Sequence, residues 1–244
     1  MAITKLYING CSFLTDNRGY SGTHAGLELA TSLGLEALEY AVGGQGNDRI
    51  IAGTRQFFYL NESCKDDTFF LIGLSSSSRK DCLQTRKHGT KLYDDSRYWR
   101  AIKYSDMADI AKKEQRKLRR VDVFNTLRLH HLMNILALQE FFKSNGIKYC
   151  MYDALDNQWQ GKGTWRELFE DKVDTSAFFQ FNRISHFEFV NDKPVDFVPK
   201  EYIDEQLICG GEIKDKGVDR HPNTLGHKLW AEELEKFIRK NNLL

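Results

Sequence analysis

Apolar runs and amphipathic segments alternate along this chain. Runs that are apolar at most positions occupy residues 4–9, 68–74 and 147–152, and a weaker strand candidate occupies 35–42. Apolar residues recur near helical spacing in the segments between and after these runs, at 22–33, 47–60, 121–144 and 224–240. Apolar strands separated by helices are typical of a parallel sheet covered on both faces. The pattern therefore predicts a three-layer α/β/α fold with a mostly parallel sheet.

Two segments interrupt this alternation. Residues 79–120 are polar and basic, with 14 Lys/Arg and 6 Asp/Glu, although the whole chain carries a formal charge of only +1. Residues 153–217 are aromatic and have no regular period. The chain has 3 prolines and no internal repeat, and nothing in it reads as a linker. We therefore expect a single domain over 1–244 with two cap-like excursions.

Composition narrows the class of protein. With 41% hydrophobic and 28% charged residues, the sequence is typical of a globular protein, and its near-neutral charge gives no argument for nucleic acid or membrane as a partner. The 5 cysteines are odd in number and include no C-x-x-C pair, which favours reduced thiols. No secretory signal and no 18-residue apolar run is evident, so we expect a cytoplasmic location.

Candidate chemistry lies at the ends of predicted elements. Ser12 follows the first strand, Gly44 follows the second, and Asp219 and His221 precede the last helix. The carboxyl ends of parallel strands meet at one edge of a sheet, which is where such sheets bind ligands. A serine hydroxyl becomes a useful nucleophile when a histidine takes its proton and a carboxylate orients that histidine. The sequence supplies all three groups.

These segments together resemble the SGNH (GDSL-type) hydrolase superfamily. The resemblance rests on Gly-Cys-Ser-Phe at 10–13, Gly-x-x-Asn-Asp-Arg-Ile at 44–50 and Asp-x-His-Pro-x-x-x-Gly-His at 219–227. It implies an SGNH/flavodoxin-like fold and hydrolysis or transfer of an acyl ester, without a cofactor or a metal. Ser12 would be the nucleophile, His221 the general base and Asp219 its partner. The backbone N–H groups of Ser12 and Gly44 would bind the oxyanion.

The sequence departs from the family pattern at two places. The third family block normally supplies an asparagine side chain to the oxyanion, but Ser77 stands at that position. Asn47, three residues after Gly44, is an alternative donor. The acid normally precedes the histidine by three residues, whereas Asp219 precedes His221 by two and Val218 holds the usual position.

Each candidate residue also has an interpretation other than ester hydrolysis. Ser12 could be a turn residue, Asn47 an N-cap, and the glycines at 43, 44 and 46 a tight connection or a phosphate cradle. Asp219 and the histidines at 221 and 227 could bind a metal, although no fourth ligand is evident. His227 fits a structural role better, and of the adjacent His130 and His131 we expect one ring in an interface and one in solvent.

The two excursions leave further alternatives open. Arg79 could hold an anionic group of the substrate or be a solvated charge. The basic segment could be a solvated face, a cap that steers an acidic polymer, or a contact for nucleic acid, since aromatic residues are interleaved with its charges. The aromatic residues of 153–217 could form a sugar-stacking wall, but core packing is their usual fate.

The sequence thus predicts a serine esterase that removes a short acyl group from a carbohydrate or a small ester. A nucleic-acid partner is disfavoured, no membrane partner is expected, and the oligomeric state is not indicated. Two alternatives remain: a related fold that has lost catalysis and binds a glycan or a protein, and an acyltransferase that uses the same residues.

Overall fold

A computed structural model of the 244-residue chain gives its fold. The structure describes residues 2–15, 22–77, 79–83, 99–102, 123–155, 169–181, 183–191, 212–213, 217–218 and 221–244. Much of the basic excursion and of the aromatic excursion therefore lies outside the described residues, including Trp159 and Trp165.

A parallel five-stranded sheet forms the centre of the molecule. Its strands are β1 (Lys5–Gly10), β2 (Glu36–Glu39), β3 (Thr68–Leu74), β6 (Tyr149–Asp153) and β7 (Phe178–Phe179), in the order β2-β1-β3-β6-β7. Two small antiparallel pairs lie apart from it: β4 (Lys80–Leu83) with β5 (Trp99–Ile102), and β8 (Glu212–Ile213) with β9 (Gly217–Val218). Counting only the strands of the main sheet, the order is 2-1-3-4-5, the flavodoxin-like arrangement.

Helices cover both faces of the sheet. The helices among the described residues are α1 (Ala25–Leu33), α2 (Asn47–Leu60), α3 (Val123–Ser144), α4 (His186–Asn191) and α5 (Thr224–Lys240). Leu29 of α1 and Trp230 of α5 belong to the apolar core on one face, and Phe57 of α2 and Phe142 of α3 belong to the core on the other. The predicted three-layer α/β/α fold is therefore confirmed.

Local signals in the sequence place the helix ends. Gly34 ends α1 in the left-handed conformation (φ 68°), and its N–H bonds to the carbonyls of Ala30 and Thr31. Asn223 caps α5, since its side chain accepts a hydrogen bond from the N–H of Gly226. Within the described part of the chain, no helix combines the length and apolar character needed to cross a membrane.

The sheet differs from the sequence prediction in two respects. Strand β2 covers four residues rather than the eight predicted, and two of its four side chains are exposed carboxylates, Glu36 and Glu39. Strand β7 was not predicted, because two residues show no period. Its side chains, Phe178 and Phe179, are buried, as is Phe189 of α4, so these members of the aromatic excursion pack in the core.

Candidate active site

Ser12 lies directly beyond the carboxyl end of β1. Gly10 ends the strand, Cys11 follows in an extended conformation, and Ser12 begins a short 3₁₀ turn, Ser12–Leu14. Gly10 pairs with Gly73 of the neighbouring strand β3. A Cβ atom at Gly10 would lie only 2.7 Å from the carbonyl oxygen of Gly73, so the glycine permits the close approach of the two strands below Ser12.

His221 reaches Ser12 from the opposite end of the chain. Its Nε2 atom lies 2.9 Å from Ser12 Oγ, within hydrogen-bond distance. The imidazole packs against the ring of Phe13, with 5.1 Å between ring centroids, and the capped start of α5 follows two residues later. The structure thus brings together the two residues predicted as nucleophile and base. Asp219, the predicted acid, lies outside the described residues.

Cys11 precedes Ser12 but is not suited to act in its place. The side chain is completely buried, and burial raises the pKa of its thiol. A hydrogen bond with the backbone of Phe13 and the positive charge of Arg79 offset that rise in the pKa only in part. Because the thiolate and not the thiol is the nucleophile, Cys11 is inert near neutral pH.

The loop that carries Gly44 is tied to the end of β1. The N–H of Gln45 bonds to the carbonyl of Val42, and Gly44 has φ +81°, as the third residue of a type II turn requires. The carbonyl of Gly10 accepts hydrogen bonds from the Val42 N–H and from the Gln45 side chain. Gly44 therefore lies on a loop anchored two residues before Ser12.

Asn9 and Gln45 form a buried polar pair behind this loop, which was not predicted from the sequence. Gln45 Nε2 donates to Asn9 Oδ1 at 2.9 Å, and Asn9 Nδ2 lies 3.0 Å from both the Ile50 carbonyl and Thr54 Oγ1. Asn9 is 2% exposed, although it belongs to a central strand. A buried amide in an apolar strand is a signal of such a network, because it requires hydrogen-bond partners.

Asn47 is the first residue of α2 and not its N-cap. Gly46, which has no side chain to cap the helix, occupies the N-cap position. The Asn47 amide turns instead to the end of β3, where Oδ1 accepts the N–H of Ser75 at 2.8 Å and Nδ2 donates to the Ser75 carbonyl at 2.8 Å. Nδ2 also lies 2.9 Å from His131 Nδ1, so both amide hydrogens are engaged.

Ser77 and Arg79 follow the end of β3. Ser77 is buried, and both residues line a small polar cavity together with Asn47, Asp48, His130, His131 and Asn134. Arg79 Nη1 lies 3.5 Å from Ser75 Oγ, and the charge of Arg79 also acts on the Cys11 thiol. Arg79 therefore lies close to the turn that carries Ser12.

As predicted, one of the two adjacent histidines of α3 is exposed to solvent and the other is buried. The His130 side chain is 46% exposed and lies 3.8 Å from a carboxylate oxygen of Asp48. The His131 side chain is 2% exposed and lies 3.3 Å from Asp153 Oδ1 at the end of β6. The link between His131, Asp153 and Asn47 was not predicted, because it joins residues far apart in sequence.

His186 is a second buried histidine that the sequence did not single out. Its ring stacks on the indole of Trp230, with 4.7 Å between centroids, and lies edge-on to Phe13 beside Ser12. Within the described part of the chain, neither ring nitrogen has a hydrogen-bond partner. Burial, and then the charges of His227 and His221, lower the pKa of His186 well below its usual value.

This pKa predicts a specific loss of stability in acid. In the unfolded chain His186 would bind a proton near pH 6.5, whereas in the folded chain it would bind one only at lower pH. The stability it contributes is therefore present above pH 6.5 and is lost as the pH falls below that value, by at most about 1.4 kcal/mol per pH unit. His186→Phe should keep the stacking and remove this loss. Urea unfolding at pH 7.5 and pH 5 should thus show a smaller decrease for the variant than for the wild type.

His130→Phe is the matched control, because it removes a largely exposed histidine from the same protein. His130→Phe leaves His186 in place, so its loss of unfolding free energy between pH 7.5 and pH 5 should remain larger than that of His186→Phe. Equal decreases for wild type and His186→Phe would show that His186 is not held neutral.

Comparison with known proteins gives distant structural similarities. No protein-family model and no curated protein sequence matches the chain. Among solved structures, the chain is similar to a protein assigned to the G-D-S-L family of lipolytic proteins from Desulfitobacterium hafniense DCB-2, with 15% identity, 96% and 99% of the two chains covered and a TM-score of 0.46. It is also similar to the psychrotrophic esterase EstA from Pseudoalteromonas sp., with 11% identity, 97% of each chain covered and a TM-score of 0.44.

A third similar structure is the acetyl xylan esterase Est2A from Butyrivibrio proteoclasticus, with 11% identity and a TM-score of 0.46. The similarity covers 100% of this chain and 66% of that enzyme. All three similarities are distant, so any activity of the site has to be inferred from this chain's own residues.

Proposed function

We propose that the protein is a serine esterase that removes a short acyl group, such as acetyl, from a carbohydrate or a small ester. The observation that carries this proposal is the 2.9 Å contact between His221 Nε2 and Ser12 Oγ at the carboxyl end of β1. A nucleophile and a base within hydrogen-bond reach are the first requirement of covalent acyl transfer.

The chemical steps follow from that contact. His221 Nε2 takes the hydroxyl proton while Ser12 Oγ attacks the ester carbonyl, which gives a tetrahedral oxyanion. The alcohol then leaves with the proton held by His221, and the acyl group remains on Ser12. Water, activated by the same nitrogen, releases the acid and restores the hydroxyl. Asp219 is the proposed partner that keeps a proton on His221 Nδ1, as this mechanism requires.

We assign the oxyanion to two backbone donors, the N–H groups of Ser12 and Gly44. Each preorganised donor of this kind contributes about 3 kcal/mol to stabilising the transition state. A role for Asn47 would require one amide hydrogen to leave Ser75 or His131. Ser77, which is buried beside them, is the remaining side-chain candidate.

A fluorophosphonate probe tests the proposal without knowledge of the substrate. The purified wild-type protein should acquire one adduct, and peptide mapping by mass spectrometry should place it on Ser12. Such a probe reacts preferentially with a serine whose proton has an acceptor, so labelling of Ser12 would establish an activated nucleophile.

Two outcomes would contradict the proposal. One is a folded protein that gains no adduct, which would favour a binding module with a related fold. The other is an adduct on a residue other than Ser12, which would relocate the nucleophile. Product analysis with a sugar acceptor present would then separate hydrolysis from acyl transfer.

A further inference from the structure

We infer that His131 is a positioning residue for the catalytic edge of the sheet. Together with Asp153 it holds the Asn47 amide on the backbone of Ser75, and so fixes the start of α2 against the end of β3. The consequence for catalysis rests on the proposed function, whereas the clamp itself does not.

The orientation of the Asn47 amide follows from the backbone. An N–H group can only donate, so the atom that faces the N–H of Ser75 is the carbonyl oxygen, Oδ1. The other atom is therefore the NH₂ group. Its two hydrogens point to the Ser75 carbonyl at 2.8 Å and to His131 Nδ1 at 2.9 Å.

The tautomer of His131 follows in turn. Because Asn47 Nδ2 donates, His131 Nδ1 must accept and carries no proton. The ring proton of the neutral imidazole is then on Nε2, which faces Asp153 Oδ1 at 3.3 Å. The side chains of His131 and Asp153 are 2% and 6% exposed, so water cannot readily replace a hydrogen bond that either side chain loses.

The chain of bonds joins four elements at one edge. Asn47 begins α2 three residues after Gly44, and Ser75 follows β3. His131 lies on α3, and Asp153 is the last residue of β6. Gly44 is exposed, and Asn47 is the second anchor of its loop after Gln45, whose side chain bonds to Gly10 and Asn9. Releasing Asn47 would loosen both the loop of Gly44 and the serines after β3.

Two substitutions at one position separate the bonds from the bulk of the side chain. In His131→Gln the amide oxygen can accept from Asn47 and the NH₂ group can donate to Asp153. In His131→Leu neither bond is possible. His130→Leu is the matched control, because it changes the neighbouring and largely exposed histidine of the same helix.

Catalysis provides the first measurement. We expect His131→Leu to lower kcat, or the rate of fluorophosphonate labelling at saturating probe, by about 10²-fold with little change in KM, since a small misplacement of a site has effects of that size. His131→Gln should recover most of this loss, and His130→Leu should behave as the wild type. A labelled wild type together with an unchanged rate in His131→Leu would overturn the inference.

Hydrogen exchange provides a second measurement that needs no activity. The Ser75 N–H is donated to Asn47, so its exchange should accelerate in His131→Leu and not in His131→Gln. Unchanged exchange in His131→Leu would refute the clamp. If the wild type is not labelled at all, the proposed function fails, while exchange at Ser75 still decides whether His131 holds this edge.

Discussion

Replacement of Ser12 by alanine is expected to abolish ester hydrolysis, with a loss in kcat of roughly 10⁴- to 10⁶-fold. The reason is that the hydroxyl 2.9 Å from His221 would be gone and no acyl-enzyme could form. Cys11 could not substitute, because its buried thiol stays protonated. The measurement is hydrolysis of an activated acetyl ester, followed beside unfolding in urea to show that the variant is folded.

The double variant gives this prediction its sharpest form. His221→Ala should lose about as much activity as Ser12→Ala, and the double variant should lose no more than either, because the two groups act as one unit. Ser176→Ala, at an exposed serine bonded to Asp174, is the control for the substitution itself. Losses that multiply in the double variant would show that Ser12 and His221 act independently.

Replacement of Trp230 by alanine is expected to destabilise the protein by about 3–5 kcal/mol. The indole is fully buried on the inner face of α5 and contacts the rings of Phe179, Phe189 and Tyr152 as well as His186. Its removal would leave a cavity where α5 meets the sheet. Urea unfolding at pH 7.5 measures the loss.

Trp230→Phe provides the comparison for this variant. The smaller ring keeps most of the aromatic contacts with Phe179, Phe189 and His186. Its loss should therefore be well below that of the alanine variant. A change of less than about 1 kcal/mol in Trp230→Ala would mean that the helix does not depend on this side chain.

The elements that the sequence predicted are those with strong local signals. Strands β1 and β3 are apolar at most positions, and β3 is completely buried, as such a run requires. The final helix was predicted from Thr224 to Lys240 and has those bounds, since Asn223 supplies its cap. The candidate nucleophile and base were also found from sequence, through motifs at the ends of these elements.

The features that were not predicted depend on contacts between residues far apart in the sequence. Nothing near His131 in the sequence indicates that its ring meets Asn47 and Asp153, since these partners are 84 and 22 residues away. Likewise His186 lies in an aromatic segment without a period, and its burial against Trp230 depends on the position of α5. The expectation that Asn47 caps α2 was also wrong, because its amide bonds to the distant backbone of Ser75 instead.

The separation of Ser12 and His221 by 209 residues also bears on how the protein is made on the ribosome. The first strand and α1 emerge from the ribosome early, but α1 packs against α5. Ser32 of α1 donates a hydrogen bond to Glu235 of α5. Domains generally fold as units, so this one can complete its fold only after α5 has left the exit tunnel. Until His221 has been synthesised, the proposed nucleophile Ser12 lacks its proposed base, and we expect a nascent chain to show no esterase activity until α5 docks.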